Sequence, residues 1–221
     1  MEQNNLTQNK LFGKTFFWMF LGILGSGIIA WYTYSIGLCE TLALNGSFGI
    51  LLIVELVVVL LFSFLFRKLP PAVCGILYFV YAMINGITLS TIFVVFDLTS
   101  IVYVFLITAF IFAVLAFIGY KTNRDLSKWS TYFFVFLIAG IIISIINLIF
   151  IKSSMLDLAI DWLILLLFMG ITIYDINKIK LLQSDPDLNQ DKIYIYCAMQ
   201  LYLDFINIFL RILSIFGSRR D

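Results

Sequence analysis

Apolar residues along the chain gather into seven long stretches separated by short polar segments. About 20 apolar residues are enough to cross the hydrocarbon core of a bilayer as an α-helix. The pattern therefore predicts an all-α membrane protein with seven transmembrane helices, at residues 15–37, 47–66, 72–96, 101–120, 131–151, 158–181 and 193–216. No connection is long enough to separate domains. We therefore expect one transmembrane domain over residues 1–221, with a cytoplasmic segment at 1–14, the bundle at 15–216 and a short tail at 217–221.

The distribution of lysine and arginine predicts how the bundle sits in the membrane. In the predicted arrangement, ten of these residues lie on the same side of the membrane as the N-terminus, and four lie on the opposite side. Positive charge accumulates on cytoplasmic loops, so the N-terminus is expected in the cytoplasm and the C-terminus outside. The ten are Lys10, Lys14, Arg67, Lys68, Lys121, Arg124, Lys128, Lys178, Lys180 and Lys192, and the four are Lys152, Arg211, Arg219 and Arg220.

Composition supports the membrane assignment and excludes other classes. The chain has 221 residues, of which 62% are hydrophobic and 12% charged, and its mean hydropathy is +1.06. Soluble domains carry about twice that charged fraction. A net charge of +1 argues against nucleic acid as a partner. The chain contains no histidine, so proton chemistry near neutral pH must come from carboxylates, lysine, cysteine or tyrosine in shifted environments.

Four ionisable residues lie within the predicted spans or near their ends: Glu55, Asp175, Asp204 and Arg211. A charge inside a membrane span is costly and usually functional. Glu55, Asp175 and Asp204 are the only acids that we expect in the core of the bundle. No resident cofactor is indicated, because the three cysteines are scattered and lack the spacing of a metal site.

The last predicted helix has a polar face. Gln200, Asp204, Asn207 and Arg211 follow one another at i, i+4, i+7 and i+11, which places them on one side of an α-helix. The other positions are almost all apolar. Such a helix is expected in the middle of a bundle or along a cavity.

Asp175 and Asp204 are predicted to lie at similar depths on neighbouring helices. The sixth and seventh helices form a hairpin through the segment 183–192. Asp175 lies roughly 10 Å from the loop end of its helix, and Asp204 roughly 15 Å from the start of the next. If the two carboxylates meet in a low-dielectric site, they would share one proton. The alternative is two separate aspartates, each with its own polar partner.

Other polar residues in the spans are expected to serve helix packing. Gly22 and Ser26 form a small-xxx-small pair, which lets two helix backbones approach closely. The third predicted helix carries a stripe of polar side chains, and Asn147 lies in the fifth. Because lipid cannot satisfy these groups, we expect interhelical hydrogen bonds. The stripe consists of Tyr81, Asn85, Thr88, Ser90 and Thr91.

Two segments resemble the signature of the transmembrane Bax inhibitor motif family: IYDINKIK at 173–180 and LYLDFINIFLRIL at 201–213. NGITLSTIF at 85–93, and Glu55 ahead of the helix end at Arg67-Lys68, also look like that family. The resemblance covers the chain from about residue 15 to its end. The short polar N-terminal segment is similar to that of prokaryotic members, so we expect a bacterial cytoplasmic membrane protein.

The resemblance implies a fold, a function and a set of site residues. The fold would be six helices wrapped around a central seventh, and the function a pH-sensitive, passive calcium leak with calcium as the permeant ion. Asp175 and Asp204 would be a hydrogen-bonded pair that senses protons. Glu55 would line the calcium path together with this pair, and Arg67 or Lys68 would be the basic residue that latches it. Gln200, Asn207 and Arg211 would be the supporting polar face.

Three other functions are compatible with the same residues. A proton-coupled cation transporter could use the same carboxylates, although no inverted repeat is evident. An intramembrane aspartyl protease would fit Tyr174-Asp175, but it requires Gly-x-Gly-Asp where this chain has Tyr202-Leu203-Asp204. A non-catalytic protein that binds other membrane proteins would not need buried charges. We therefore predict a non-enzymatic protein, expected as a monomer, whose partners are the lipid bilayer, calcium ions and protons.

Overall fold

The computed structural model of the protein describes residues 2–45, 47–183 and 190–220, and the elements within them are helices joined by short turns. This agrees with the all-α prediction. The elements are α1 (Glu2–Ser35), α2 (Leu38–Leu44), α3 (Ser47–Leu65), α4 (Pro71–Leu89), α5 (Ile92–Val95), α6 (Leu98–Lys121), α7 (Trp129–Ile146), a π-helical turn (Asn147–Ile151), α8 (Ser154–Gln183) and α9 (Gln190–Phe216).

Six segments of the described chain are long and apolar enough to cross a membrane, so the protein is an integral membrane protein. They are Lys10–Ser35, Pro71–Val95, Leu98–Lys121, Trp129–Ile151, Ser154–Leu182 and Lys192–Phe216. Each overlaps one predicted span. The remaining predicted span, 47–66, forms α3, whose described apolar part, Gly49–Leu65, is shorter than the other six. The predicted count of seven therefore depends on α3. Most of the predicted loop at 183–192 lies outside the described residues.

The predicted helix at 72–96 is divided into α4 and α5 by a turn at Ser90 and Thr91. The Ser90 hydroxyl donates to the Ile87 carbonyl at 2.6 Å, and the Thr91 hydroxyl donates to the Thr88 carbonyl at 3.0 Å. Hydroxyl groups that bond back to carbonyls of the preceding turn compete with the helix ladder and bend helices. These residues of the predicted polar stripe therefore serve a local turn instead of an interhelical contact.

The chain divides into two compact units. The first comprises residues 1–97, 182–202 and 219–221, and the second residues 98–181 and 203–218. Their boundary falls within α9, whose span is the most buried of the six, at 72%. The second unit contains α6, α7 and most of α8.

In the first unit, α1 packs closely against α4 through small residues. A Cβ atom placed on Gly86 would lie 2.6 Å from the Ser26 carbonyl oxygen and 2.9 Å from the Ile29 Cβ atom. A Cβ on Gly22 would lie 1.9 Å from the Tyr78 hydroxyl oxygen. The predicted packing role of Gly22 and Ser26 is therefore confirmed, and its partner surface on α4 contains Gly86 and Tyr78.

In the second unit, α6 packs against α8 in a similar way. A Cβ atom on Gly119 would lie 2.7 Å from the Ile173 carbonyl oxygen. Beyond this crossing, Asn177 Nδ2 donates to the Thr122 carbonyl at 2.8 Å, and Lys180 Nζ donates to the same carbonyl at 3.0 Å. The last carbonyl groups of a helix have no partner within that helix, so a lysine from a neighbouring helix interacts favourably with them. The contacts fix α8 against the end of α6.

Replacing Gly86 with alanine tests the close packing of α1 and α4. Its methyl group would meet the α1 backbone, so Gly86→Ala should lower the free energy of unfolding by about 1–3 kcal/mol. Gly27→Ala in α1 is the matched control, because a Cβ atom placed on Gly27 would have nothing within 4 Å. An alanine there should be neutral or stabilise the helix by up to about 1 kcal/mol. Thermal unfolding in detergent measures both, and equal midpoints would contradict the packing.

Candidate functional site

Asp175 on α8 and Asp204 on α9 are buried in the second unit, within electrostatic range of each other. Their exposed fractions are 6% and 3%. The Asp204 oxygen Oδ2 is buried and has no hydrogen-bond partner among the described residues. The structure therefore brings together the two carboxyl groups that the sequence placed at similar depth. Their role as a proton sensor remains a prediction.

The surroundings of the two aspartates come mainly from one turn of α8 on either side. Thr172, one turn before Asp175, donates its hydroxyl to the Phe168 carbonyl at 2.8 Å and also contacts Asp204. Lys178, one turn after Asp175, interacts electrostatically with both aspartates. Its Nζ atom lies 5.6 Å from the centre of the Tyr174 ring. One lysine thus acts on both acids.

Sequence analysis did not assign Lys178 to this site, although it lies within electrostatic range of both aspartates. The available signal was its i+3 spacing from Asp175, because residues three apart are neighbours on a helix surface. The predicted latch residues, Arg67 and Lys68, are exposed after the end of α3 in the first unit. There the Arg67 carbonyl accepts a hydrogen bond from Lys192 Nζ at 3.2 Å. The latch role stays a prediction.

Glu55 lies in a separate polar cluster in the first unit. Its Oε1 atom accepts a hydrogen bond from the Thr88 hydroxyl at 2.6 Å, and its Oε2 atom accepts one from Asn85 Nδ2 at 3.1 Å. The Tyr202 hydroxyl donates to Asn85 Oδ1 at 2.8 Å. Glu55 and Asn85 are each 8% exposed, and Tyr202 is fully buried. The interhelical hydrogen bonds predicted for the polar stripe are therefore present at Asn85 and Thr88.

The predicted polar face of α9 differs in burial along its length. Gln200, Asn207 and Arg211 are partly exposed, whereas Asp204 is buried. Asn207 Nδ2 donates to the Leu203 carbonyl of its own helix at 2.8 Å. The same helix face thus combines a buried acid with partly exposed polar side chains.

Arg211 is paired with Asp161, an acid that the sequence reasoning missed. Arg211 Nη1 lies 2.6 Å from Asp161 Oδ1, and the Ser214 hydroxyl donates to Asp161 Oδ2 at 2.5 Å. Asp161 is 8% exposed, so the expectation that Glu55, Asp175 and Asp204 are the only core acids is wrong. The available signal was an unassigned arginine inside a span, since such a charge needs a partner.

Asn147 joins the end of α7 to the start of α8, so the interhelical hydrogen bond predicted for it is present. Its side-chain amide donates to the Ser153 carbonyl at 3.0 Å and to Asp157 Oδ1 at 2.5 Å. Its Oδ1 atom accepts the Ser153 N–H at 3.1 Å. The fully buried side chain closes the π-helical turn onto the start of α8. Lys152 follows the π-helical turn and ends it in the left-handed backbone conformation, with φ +53°.

Within the described parts of the chain, no three histidine, cysteine or acidic side chains are grouped closely enough to hold a metal ion. Calcium is bound by carboxylate, carbonyl and water oxygens, commonly six to eight of them. The calcium-ligand role of Glu55, Asp175 and Asp204 therefore remains a prediction about transient contacts.

Replacing Tyr202 with phenylalanine tests the Glu55 cluster. The substitution keeps the ring but leaves Asn85 Oδ1 without its donor, which should reduce stability by about 1 kcal/mol. Tyr103→Phe is the control, because Tyr103 is 64% exposed and loses no buried contact. Thermal unfolding in detergent distinguishes the two. A midpoint for Tyr202→Phe as high as that of the control would show that the hydrogen bond carries no stability.

Comparison with known sequences gives matches over nearly the whole chain. Residues 8–221 match the family described as inhibitor of apoptosis-promoting Bax1. The inner membrane protein YbhL of Escherichia coli is 38% identical over 209 residues, covering 92% of this chain and 89% of the relative. An uncharacterized protein of Borreliella burgdorferi is 33% identical, covering 100% of this chain and 97% of the relative. An uncharacterized membrane protein of Streptococcus pyogenes is 39% identical over 166 residues, covering 75% of this chain and 72% of the relative.

Proposed function

This chain belongs to the family described as inhibitor of apoptosis-promoting Bax1, and from that premise we propose that it is a pH-sensitive passive calcium leak. The observation that carries the proposal is the burial of two carboxyl groups, Asp175 and Asp204, within electrostatic range of each other on two membrane-spanning helices. The protein would pass calcium down its gradient, and the protonation of this pair would set the rate.

The proton-sensing role follows from the cost of burying charge. Two adjacent carboxylates in a low-dielectric site cannot both remain ionised, so they share a proton. Asp204 Oδ2 is buried without a donor among the described residues, and such an oxygen is costly to leave unsatisfied. Either a proton or a cation would satisfy it. A change in proton occupancy changes the net charge next to Lys178, which can bias α8 and α9 between two arrangements.

Glu55 supplies the second part of the proposed calcium path. Its two oxygens each accept one hydrogen bond, which leaves further lone pairs for a passing cation. Carboxylate oxygen is the ligand that calcium prefers. The two donors to Glu55, Asn85 and Thr88, are neutral. A passing calcium ion therefore does not have to displace a positively charged side chain from these hydrogen bonds.

The finer architecture is also part of the proposal. A 19-residue helix is roughly 28 Å long, so α3 could cross a hydrocarbon core of about 30 Å as the second of seven spans. The high burial of α9 supports a central position for it. We place the N-terminus in the cytoplasm, the C-terminus outside, and the protein in a bacterial cytoplasmic membrane as a monomer. Arg67 or Lys68 would latch the pair in its closed state.

Calcium flux into proteoliposomes, measured from pH 5.5 to pH 8, tests the proton sensor. The double variant Asp175→Asn with Asp204→Asn should alter the flux and flatten its pH dependence, because it removes both titrating groups. Asp125→Asn is the control. Asp125 lies in an exposed turn, where hydrogen bonds from Ser127 hold the pKa of Asp125 below its usual range. It stays ionised throughout this pH window. An unchanged flux and pH profile in the double variant would refute the proposal.

Replacing Glu55 with glutamine tests the calcium path separately from the sensor. The substitution keeps the size of the side chain but removes its charge, so the flux should fall several-fold while its pH profile keeps its shape. Glu40→Gln is the control, because Glu40 is exposed on α2. The flux should also persist when the proton gradient is abolished, as expected for a leak. A flux in Glu55→Gln equal to that of the control would remove Glu55 from the path.

A further inference from the structure

Arg211 and Asp161 form a second charged site on the two helices that carry the aspartate pair. Asp161 precedes Asp175 by 14 residues on α8, which is about 21 Å of helix. Arg211 follows Asp204 by seven residues on α9, which is about 10 Å. Both clusters lie in the second unit. The ion pair is therefore displaced along the span from the proposed proton sensor.

Arg211 bonds to only one of the two carboxylate oxygens of Asp161. One guanidinium nitrogen, Nη1, bonds to Asp161 Oδ1, and the Ser214 hydroxyl occupies Oδ2. Arginine and carboxylate groups often form two parallel bonds, but here the second oxygen is taken. Arg211 Nε is buried without a hydrogen-bond partner among the described residues. Asp157, one turn before Asp161, is engaged by Asn147 instead. The guanidinium is thus held at one corner by a single acid.

The Arg211 side chain is partly exposed. Its exposed fraction is 34%, whereas that of the Asp161 side chain is 12%. Asn207 on the same face of α9 is partly exposed too, although the span as a whole is 72% buried. Polar and charged side chains in a span face protein or water, not lipid. The exposed parts of Asn207 and Arg211 are therefore expected to meet water.

We propose that the Arg211–Asp161 pair is a charge barrier on the cation path, with Arg211 setting how readily cations pass and Asp161 offsetting its charge. The inference rests on the proposed calcium leak and adds a rate-determining site apart from the aspartate pair. The intact pair has no net charge. Without Arg211 the site would carry one negative charge and attract calcium, and without Asp161 it would carry one positive charge and repel it.

Two single variants therefore have opposite expected effects on calcium flux in proteoliposomes. Arg211→Gln should raise the flux about three- to tenfold, and Asp161→Asn should lower it by a similar factor. The double variant should return to within about threefold of the wild-type rate, because the net charge is again zero. Arg124→Gln and Asp125→Asn remove the same charges at exposed positions between α6 and α7 and are the matched controls, expected within about twofold of wild type.

A purely structural role would give a different result. An ion pair that only joins α8 to α9 would weaken in both single variants, so both would change the flux in the same direction. That outcome, or unchanged flux in both, would overturn the inference while the wild-type flux upholds the leak. Wild-type protein without any calcium flux would refute the leak and the barrier together.

The test remains decisive if one variant does not fold. Thermal unfolding of each purified variant in detergent identifies such a failure. If one single variant does not fold, the other decides the matter, because Arg211→Gln must raise the flux above that of Arg124→Gln, and Asp161→Asn must lower it below that of Asp125→Asn. Equal rates in the folded variant and its control would overturn the inference.

Discussion

A polar group inside a bilayer has no water to bond to, and its partner must come from the protein itself. This constraint accounts for the clusters that link the helices. The Glu55 carboxylate accepts hydrogen bonds from Asn85 and Thr88. The side-chain oxygen of Asn85 accepts one from Tyr202. Asp161 is held by Arg211 and Ser214. Three buried atoms are exceptions among the described residues, because Thr15 Oγ1, Asp204 Oδ2 and Arg211 Nε have no hydrogen-bond partner there.

Close helix packing and polar satisfaction reinforce each other. Hydrogen bonds between side chains need helix axes near enough for short side chains to reach across, and glycine at a crossing permits that distance. Gly86 lies one residue from Asn85, so the crossing of α1 and α4 is adjacent to the Glu55 cluster. Gly119 lies near the residues that Asn177 and Lys180 contact. In both units a small residue stands next to a polar contact.

The sequence predicted much of the fold because hydrophobic length is a direct requirement of the bilayer. It located six of the spans and the acids at 175 and 204. It did not reveal the break at Ser90 and Thr91, since hydroxyl side chains in a helix can bond either to a neighbouring helix or to their own. It also missed Asp161, because the partner of Arg211 is 50 residues away in the chain. Spacing within one helix carries no information about such pairs.

The length of α8 has a consequence for the membrane in which the protein works. Its 30 residues span about 45 Å, whereas a hydrocarbon core is about 30 Å thick. The helix must therefore tilt, extend beyond the bilayer or thicken it. Asp175 lies eight residues before the end of α8, which is about 12 Å of helix. The distance from Asp175 to the surface is then set partly by the acyl chains of the surrounding lipid. Membrane thickness therefore changes how deeply that carboxyl group is buried below the membrane surface.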